Sequence, residues 1–380
     1  MFRFEFDRIL FFVLATLLSI GLLMIASAGV LYGESRFGDS YYFFKQQLLG
    51  LSVGFLALFF FQSVDYRVWK RFVVPVFFLA IALLILVFIP GFGTTVYGAA
   101  RWVAIGPISF QPSEVMKLAI ILYLSAWLST KGQGKAGDFY EGLVPFLLIL
   151  SFVGFLIIKQ PDTGTLGLIF IISMSIFFAS GAKLAHIGGL AVSAFLFLLI
   201  LIKLAPYRMQ RLLVFLNPEH DPSGAGYQIT QALIAVGSGG LFGIGLGQSR
   251  QKFNYLPEPV TDSIYAVLSE EFGLMGAGLV LCLFVFVAWR GFQIARGAQD
   301  EFGRLLAVGI TTWIAGQAFI NIGAISGLIP LTGIPLPFIS YGGTSLAVLL
   351  GSFGILLNIS KTAVISTPTT KKKTLQKSLV

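Results

Sequence analysis

Between residues 206 and 271 the chain gathers the groups best suited to binding anions and moving protons. Arg208, Arg211, Arg250 and Lys252 lie there beside Glu219, Asp221, Glu258 and Asp262. Guanidinium forks pair with phosphate oxygens, so such bases at a membrane surface suit a diphosphate. A carboxylate in the same pocket can take a proton from a hydroxyl nucleophile. Composition alone is also satisfied by solvated loop charges. A second pair, Glu114 and Lys117, stands at i, i+3 in QPSEVMKLAIILYL, a spacing that puts both on one helix face. Charges within an apolar span are costly, so this pair either marks a substrate path or ties neighbouring helices together. Asp162, in KQPDTG, caps a helix start after a proline turn, which is reason enough for an aspartate even without a functional role.

Other chemistries find little support. His186 and His220 are the only histidines and stand far apart, against zinc binding and Ser/His catalysis. The glycine string at 237–247, GSGGLFGIGLG, lacks a GK[ST] ending and follows a helical pattern, so it is not a nucleotide loop. Glycines there permit sharp bends and close backbone approach. The segment 327–343, GLIPLTGIPLPFISYGG, carries Pro330, Pro335 and Pro337 and cannot be a regular helix. It is either a re-entrant wall of a polar groove or a simple outer loop.

The elements that must position these groups are membrane helices. Of 380 residues, 56% are hydrophobic and 11% charged, against about 25% charged in a soluble domain. Apolar runs such as 9–32 and 72–90 are about 19 to 24 residues long, and a ~30 Å hydrocarbon core needs ~20 helical residues. The expected fold is an all-α polytopic membrane protein. Its ten predicted spans lie near 9–32, 46–64, 72–90, 112–130, 143–159, 164–181, 185–205, 272–293, 303–327 and 343–360. The first span resembles a signal peptide, since Ala26, Ser27 and Ala28 form an A-x-A site. Its length and its charge-balanced flank predict a retained helix instead.

Lysine and arginine set the orientation. With both termini inside, sixteen of them fall in inner segments and four, Arg36, Lys45, Arg101 and Lys159, in short outer loops. That bias predicts cytoplasmic termini. Residues 1–360 then form a single transmembrane domain, with a large extracytoplasmic loop at 206–271 between helices seven and eight. The proline-broken segment joins helices nine and ten, and residues 361–380 form a basic cytoplasmic tail able to touch anionic lipid. The net charge of +9 belongs to this topology and not to nucleic acid, because the bases are spread between spans. A lone Cys282 excludes an internal disulfide. Chemistry on the outer face lacks ATP and needs a substrate that arrives activated.

Five ordered blocks carry a resemblance to a known family. They are RWVAIGPISFQPSEVMK at 101–117, KQPDTG at 159–164, GYQITQALIAVGSGGLFG at 226–243, YLPEPVTD at 255–262 and GIPLPFISYGG at 333–343. The chain resembles, over nearly its whole length, the SEDS membrane glycosyltransferases represented by FtsW, RodA and SpoVE. The stretch GLGQSRQKFNYLPE at 245–258 is more similar to the FtsW division branch than to RodA. One departure is Val260, where many relatives have histidine. The resemblance implies polymerisation of lipid II into β-1,4 glycan strands, with Asp262 as general base. It implies that Arg101, Lys117, Arg208, Arg211, Arg250 and Lys252 are candidates for the diphosphate. Glu114, Asp162, Ser340 and Tyr341 join them as candidate pocket residues. No organic cofactor is implied, and Mg2+ or Mn2+ could share the diphosphate. Implied partners are lipid II, the lipid-linked glycan, a single-pass class B penicillin-binding protein, and other divisome or elongasome membrane proteins. An elongation-type polymerase, a lipid II flippase and a non-catalytic scaffold are the competing readings.

Overall fold

The computed structural model describes residues 6–96, 99–105, 108–131, 136–221, 224–253 and 255–364. Most of the basic tail, with Arg3 and Lys135, lies outside them. All ten expected spans are helices. They are α1 (Arg8–Phe37), α2 (Tyr42–Ser63), α3 (Val73–Leu86), α4 (Pro112–Lys131), α5 (Val144–Lys159), α6 (Thr163–Ala179), α7 (Leu184–Leu204), α10 (Ile264–Gly297), α11 (Glu301–Ile325) and α12 (Gly343–Thr362). Seven are long and apolar enough to cross a membrane unaided, α5 when joined to the π-helical turn Phe139–Leu143 before it, while α3 and α6 are shorter apolar helices. The tenth, α4, carries the buried Glu114 and Lys117. The helix ends follow local chemistry. Asp7 accepts from the Leu10 N–H, Asp162 from Thr165 and Asp300 from Gly303, each satisfying a first-turn donor.

Helix α11 is the buried centre, with Trp313, Gln317 and Asn321 enclosed along one stripe. Helix α7 buries only Leu190 and Leu201, and the rest of its apolar surface suits lipid. Helices α2 and α12 approach at glycines. A Cβ on Gly50 would sit 2.7 Å from the Gly343 Cα, and one on Gly354 would sit 2.4 Å from the Leu58 carbonyl. Small residues let membrane helices approach this closely when water supplies no driving force between them.

The 206–271 segment is more regular than a plain loop. It holds α8 (Pro206–Leu216), α9 (Ala225–Ser238) and the first limb of α10. Three short strands, β1 (Gly93–Val96), β2 (Ala99–Ile105) and β3 (Ile108–Phe110), form an antiparallel sheet before α4, a small departure from an all-helical chain. Helix α10 breaks at Gly273 (φ 66°, ψ −168°). The break leaves backbone groups without helical partners, and the glycine string supplies them. Ile244 and Gly245 donate to the Glu270 and Glu271 carbonyls, and Leu274 and Met275 donate to Gly240 and Leu241. Glycine is required because a Cβ on Gly243 would lie 2.1 Å from the Glu271 oxygen. A kink at membrane depth persists only when its freed groups are satisfied in this way.

Candidate active site

Two non-helical stretches meet at one end of the bundle and lace together. One precedes α10 and contains Val260, Thr261 and Asp262; the other is the proline-broken stretch between α11 and α12. Tyr341 N–H donates to the Val260 carbonyl at 2.8 Å. Ser340 Oγ donates to the Thr261 carbonyl at 2.6 Å and accepts from Leu336 N–H at 2.7 Å. Asn321, buried on α11, gives its amide to the carbonyls of Asp262 and Ile334, both at 2.8 Å. Three prolines remove backbone donors from the broken stretch, so its carbonyls must find partners on neighbours. Gln317 Nε2, for instance, donates to the Pro335 carbonyl at 2.9 Å.

This scaffold holds Asp262, which keeps partial exposure. Thr261 Oγ1 stands 2.9 Å from Asp262 Oδ1 and 2.9 Å from Glu258 Oε2. The other carboxylate oxygen, Oδ2, faces the Gly333 backbone, where an added Cβ would come within 3.7 Å. Burial raises the Asp262 pKa above the ordinary carboxylate value, and the Glu258 charge adds to that. The Thr261 hydrogen bond and Arg211 act in the opposite direction. A carboxyl so placed holds a proton more firmly than a solvated aspartate, which suits a general base. Glu258 accepts in turn from Tyr32 Oη at 2.9 Å, with Arg36 at 3.8 Å.

Arg211 on α8 senses Asp262, Arg101, Tyr207 and Asp162 electrostatically, and burial lowers its pKa without threatening its charge. Its Nη1 donates to the Leu331 carbonyl at 3.0 Å. Arg101 on β2 reaches the α5–α6 turn, donating to the Gln160 carbonyl at 3.1 Å and to that of Pro161. Tyr207 donates to the same Pro161 carbonyl at 3.2 Å. Asp162 caps α6 through Thr165 and accepts from Gln111 at 3.3 Å. Four elements far apart in sequence thus bring Arg101, Asp162, Arg211 and Asp262 to one end of the fold.

The remaining candidates sit elsewhere or are already engaged. Glu114 and Lys117 form a buried ion pair at 2.8 Å, with Lys117 also bonding Gln317 at 3.0 Å and Glu114 accepting from Ser345 at 3.0 Å. The pair joins α4, α11 and α12 and supports the broken stretch through Gln317. Ser340 and Tyr341 hold the backbone together by the bonds described above. Lys252 is 6% exposed and committed to Glu271 and Ser27, both at 2.9 Å. Arg250 is exposed, and its N–H donates to Glu270 at 3.2 Å. Arg208 bonds Tyr207 Oη and the Leu201 carbonyl. Asn321, Gln317 and Thr261 had no place among the sequence candidates. The spacing of Trp313, Gln317 and Asn321 at i, i+4, i+8 was the available signal, since polar residues repeating on one face of a span are rarely idle. Among the described residues no three His, Cys, Asp or Glu side chains converge as a metal site would require.

The pattern of the FTSW_RODA_SPOVE family, described as "Cell cycle protein", matches residues 7–364. Stage V sporulation protein E of Bacillus subtilis (strain 168) is 48% identical over 358 residues, covering 93% of this chain and 97% of that protein. The "Probable peptidoglycan glycosyltransferase FtsW" of Trichlorobacter lovleyi is 40% identical, covering 94% and 93%. Among solved structures, a chain of a peptidoglycan synthase complex superposes with a TM-score of 0.78 at 26% identity over 94% of this chain and 98% of its own. Rod shape determining protein RodA of Thermus thermophilus gives 0.69 at 25% identity over 95% and 98%. The chain belongs to the FtsW, RodA and SpoVE family.

Proposed function

We propose that this member of the FtsW, RodA and SpoVE family is a peptidoglycan glycosyltransferase that polymerises lipid II into β-1,4 glycan strands. Its 48% identity to a sporulation protein and 40% to an FtsW, against 25% to the RodA of Thermus thermophilus, support a division-type role. The observation that carries the reading is Asp262, a partly exposed carboxyl of raised pKa, held by Thr261 and Asn321 and coupled to Arg211. It lies at the end of the bundle that the lysine and arginine bias assigns to the outer face.

In this mechanism Asp262 takes the proton from the 4-hydroxyl of the acceptor's terminal N-acetylglucosamine. That oxygen attacks the anomeric carbon of the donor N-acetylmuramic acid, and undecaprenyl diphosphate leaves from the opposite face. Inversion of the α-linked donor yields the β bond, with a sugar hydroxyl in the place water takes in inverting glycosidases. Arg211 and Arg101 stabilise the charge that grows on the departing diphosphate. Asp162 keeps the α6 start in place beneath them. A bound Mg2+ or Mn2+ ion would share with Arg211 and Arg101 the neutralisation of the charge that grows on the diphosphate. The partner expected is a class B penicillin-binding protein, in keeping with the likeness to a synthase-complex chain.

The test is glycan-ladder formation from fluorescent lipid II, by the full chain with its penicillin-binding protein, for wild type and Asp262→Asn. Ladders from wild type that vanish in the variant support the reading. Equal ladders from both remove Asp262 as the base. Silence from both, with the partner and divalent cations present, turns the argument toward a flippase or a scaffold.

A further inference from the structure

Thr261 Oγ1 lies between two carboxylates, 2.9 Å from Glu258 Oε2 and 2.9 Å from Asp262 Oδ1. A hydroxyl carries one hydrogen, so it can donate to only one of them. The second contact is a hydrogen bond only when that carboxyl group itself holds a proton. The three side chains therefore form a site for one shared proton, with the Thr261 hydroxyl as its bridge.

Glu258 is built into this position at a conformational cost. Its φ of 51° lies in the left-handed region, which a non-glycine residue seldom occupies. Its carbonyl accepts from Thr261 N–H at 3.3 Å and Ser263 N–H at 3.2 Å, closing the turn that carries Asp262. The turn alone would be easier with glycine, so the side chain itself has a use. Among the described residues, helix α1 presents Tyr32 and Arg36 to Glu258 Oε1, and Arg211 of α8 comes within electrostatic reach of Asp262. The proline-broken stretch contributes no charged side chain, and its one titratable group is Tyr341.

We propose that Glu258 is a positioning residue of the transferase, acting through Thr261 to draw off the proton that Asp262 takes from the attacking sugar hydroxyl. The proposal rests on the polymerase reading above. In the transfer step the acceptor O–H bond breaks and its proton goes to Asp262. The oxygen forms the glycosidic bond as the donor C–O bond breaks, and that electron pair leaves with the diphosphate. After a half-turn of the carboxyl group, Asp262 passes its proton to Thr261 Oγ1 while the Thr261 hydrogen moves to Glu258 Oε2. Glu258 then releases a proton to solvent. Both carboxylates return to the ionised state, ready for the next sugar, without water having to reach Asp262 past the bound glycan.

The experiment measures kcat and KM for lipid II polymerisation against pH, with the full chain and its penicillin-binding protein, for wild type, Glu258→Gln, Thr261→Val and Thr261→Ser. Thermal unfolding of each variant monitors folding. General acid–base assistance contributes roughly 10²–10⁴-fold, so Glu258→Gln and Thr261→Val should each lower kcat at least ~10-fold with KM changed less than ~2-fold. Thr261→Ser, which keeps the hydroxyl, should recover most of the loss. The acid limbs should move oppositely. Removing the Glu258 charge shifts the limb to lower pH, and removing the Thr261 hydrogen bond shifts it to higher pH. A folded Glu258→Gln protein with unchanged kcat overturns the relay, as does Thr261→Ser behaving like Thr261→Val. Should Glu258→Gln fail to fold, the Val and Ser pair decides. If wild type makes ladders and Asp262→Asn does not, such a result leaves the polymerase standing; if wild type makes none, both proposals fall.

Discussion

Asn321 donates its side-chain amide to the backbone carbonyl of Asp262 at 2.8 Å, from a buried position on the central helix. The same nitrogen also donates to the Ile334 carbonyl at 2.8 Å. One side chain on a rigid element thereby sets the height of the proposed base against the proline-broken wall. Preorganisation of this kind is what holds a reacting group within a fraction of an ångström of its working position.

Replacing Asn321 with leucine, which is close in size, should leave both carbonyls buried without that donor. The loss should be roughly 2–3 kcal/mol of stability, about 1–1.5 per bond. Glycan synthesis should fall further than stability requires, because the Asp262 backbone is released. Thermal unfolding in detergent and lipid II turnover measured side by side would separate the two effects.

Lys117→Met should be severely destabilising, because it abandons the Glu114 carboxylate at 3% exposure. Breaking one side of a buried pair costs roughly 3–5 kcal/mol, whereas replacing both members is often neutral. The double variant Glu114→Gln, Lys117→Met should therefore unfold at a higher temperature than Lys117→Met alone. A double variant no better than the single one would show that the pair's position, not its charge balance, matters.

Two glycines should respond to alanine with opposite signs. Gly243 has φ 81° and no room beside the Glu271 carbonyl, so alanine there should destabilise by roughly 3 kcal/mol. Gly237 lies in α9 with nothing within 4 Å of an added Cβ. Alanine at that exposed helical site should stabilise by up to about 1 kcal/mol. Unfolding midpoints of the two variants test the assignment.

The raised pKa of Asp262 makes two pH predictions. As a base it works only when ionised, so turnover should fall as pH drops through a midpoint above the ordinary carboxylate value. For stability, a carboxyl whose folded pKa is raised favours the fold in its protonated form. That contribution is full below the unfolded value and is lost as pH rises through the folded one. Asp262→Asn should therefore unfold at a higher temperature than wild type near neutral pH, and the gap should close on acidification. A variant less stable than wild type at every pH would contradict the burial argument.

Much of this molecule was legible before its structure. The ten spans were readable because each satisfies its backbone within itself and is apolar over a length the bilayer dictates. Asp162 as a cap and Glu114 with Lys117 as neighbours were readable because both relations lie within one helical turn. Glycines admitting close backbone approach were expected at 237–247, but not that their partner would be the broken α10. Grouping the bases of the 206–271 segment by sequence was less successful. Arg211 comes within electrostatic reach of Asp262, whereas Lys252 turns to Glu271 and Ser27, and nothing local distinguishes them.

The sequence by itself determined that this chain crosses a membrane many times, roughly where its ten spans lie, and, through five ordered motifs, which family it resembles. Tertiary structure alone decided which groups come together: Arg101 with the carbonyls of the α5–α6 turn, Arg211 within electrostatic reach of Asp262, and Asn321 with two carbonyls from different stretches. The reason is range. Helix formation and capping depend on groups within four residues, so they are written locally. Pairing between segments depends on how buried surfaces pack, and one segment's sequence holds no record of which neighbour will supply its partner.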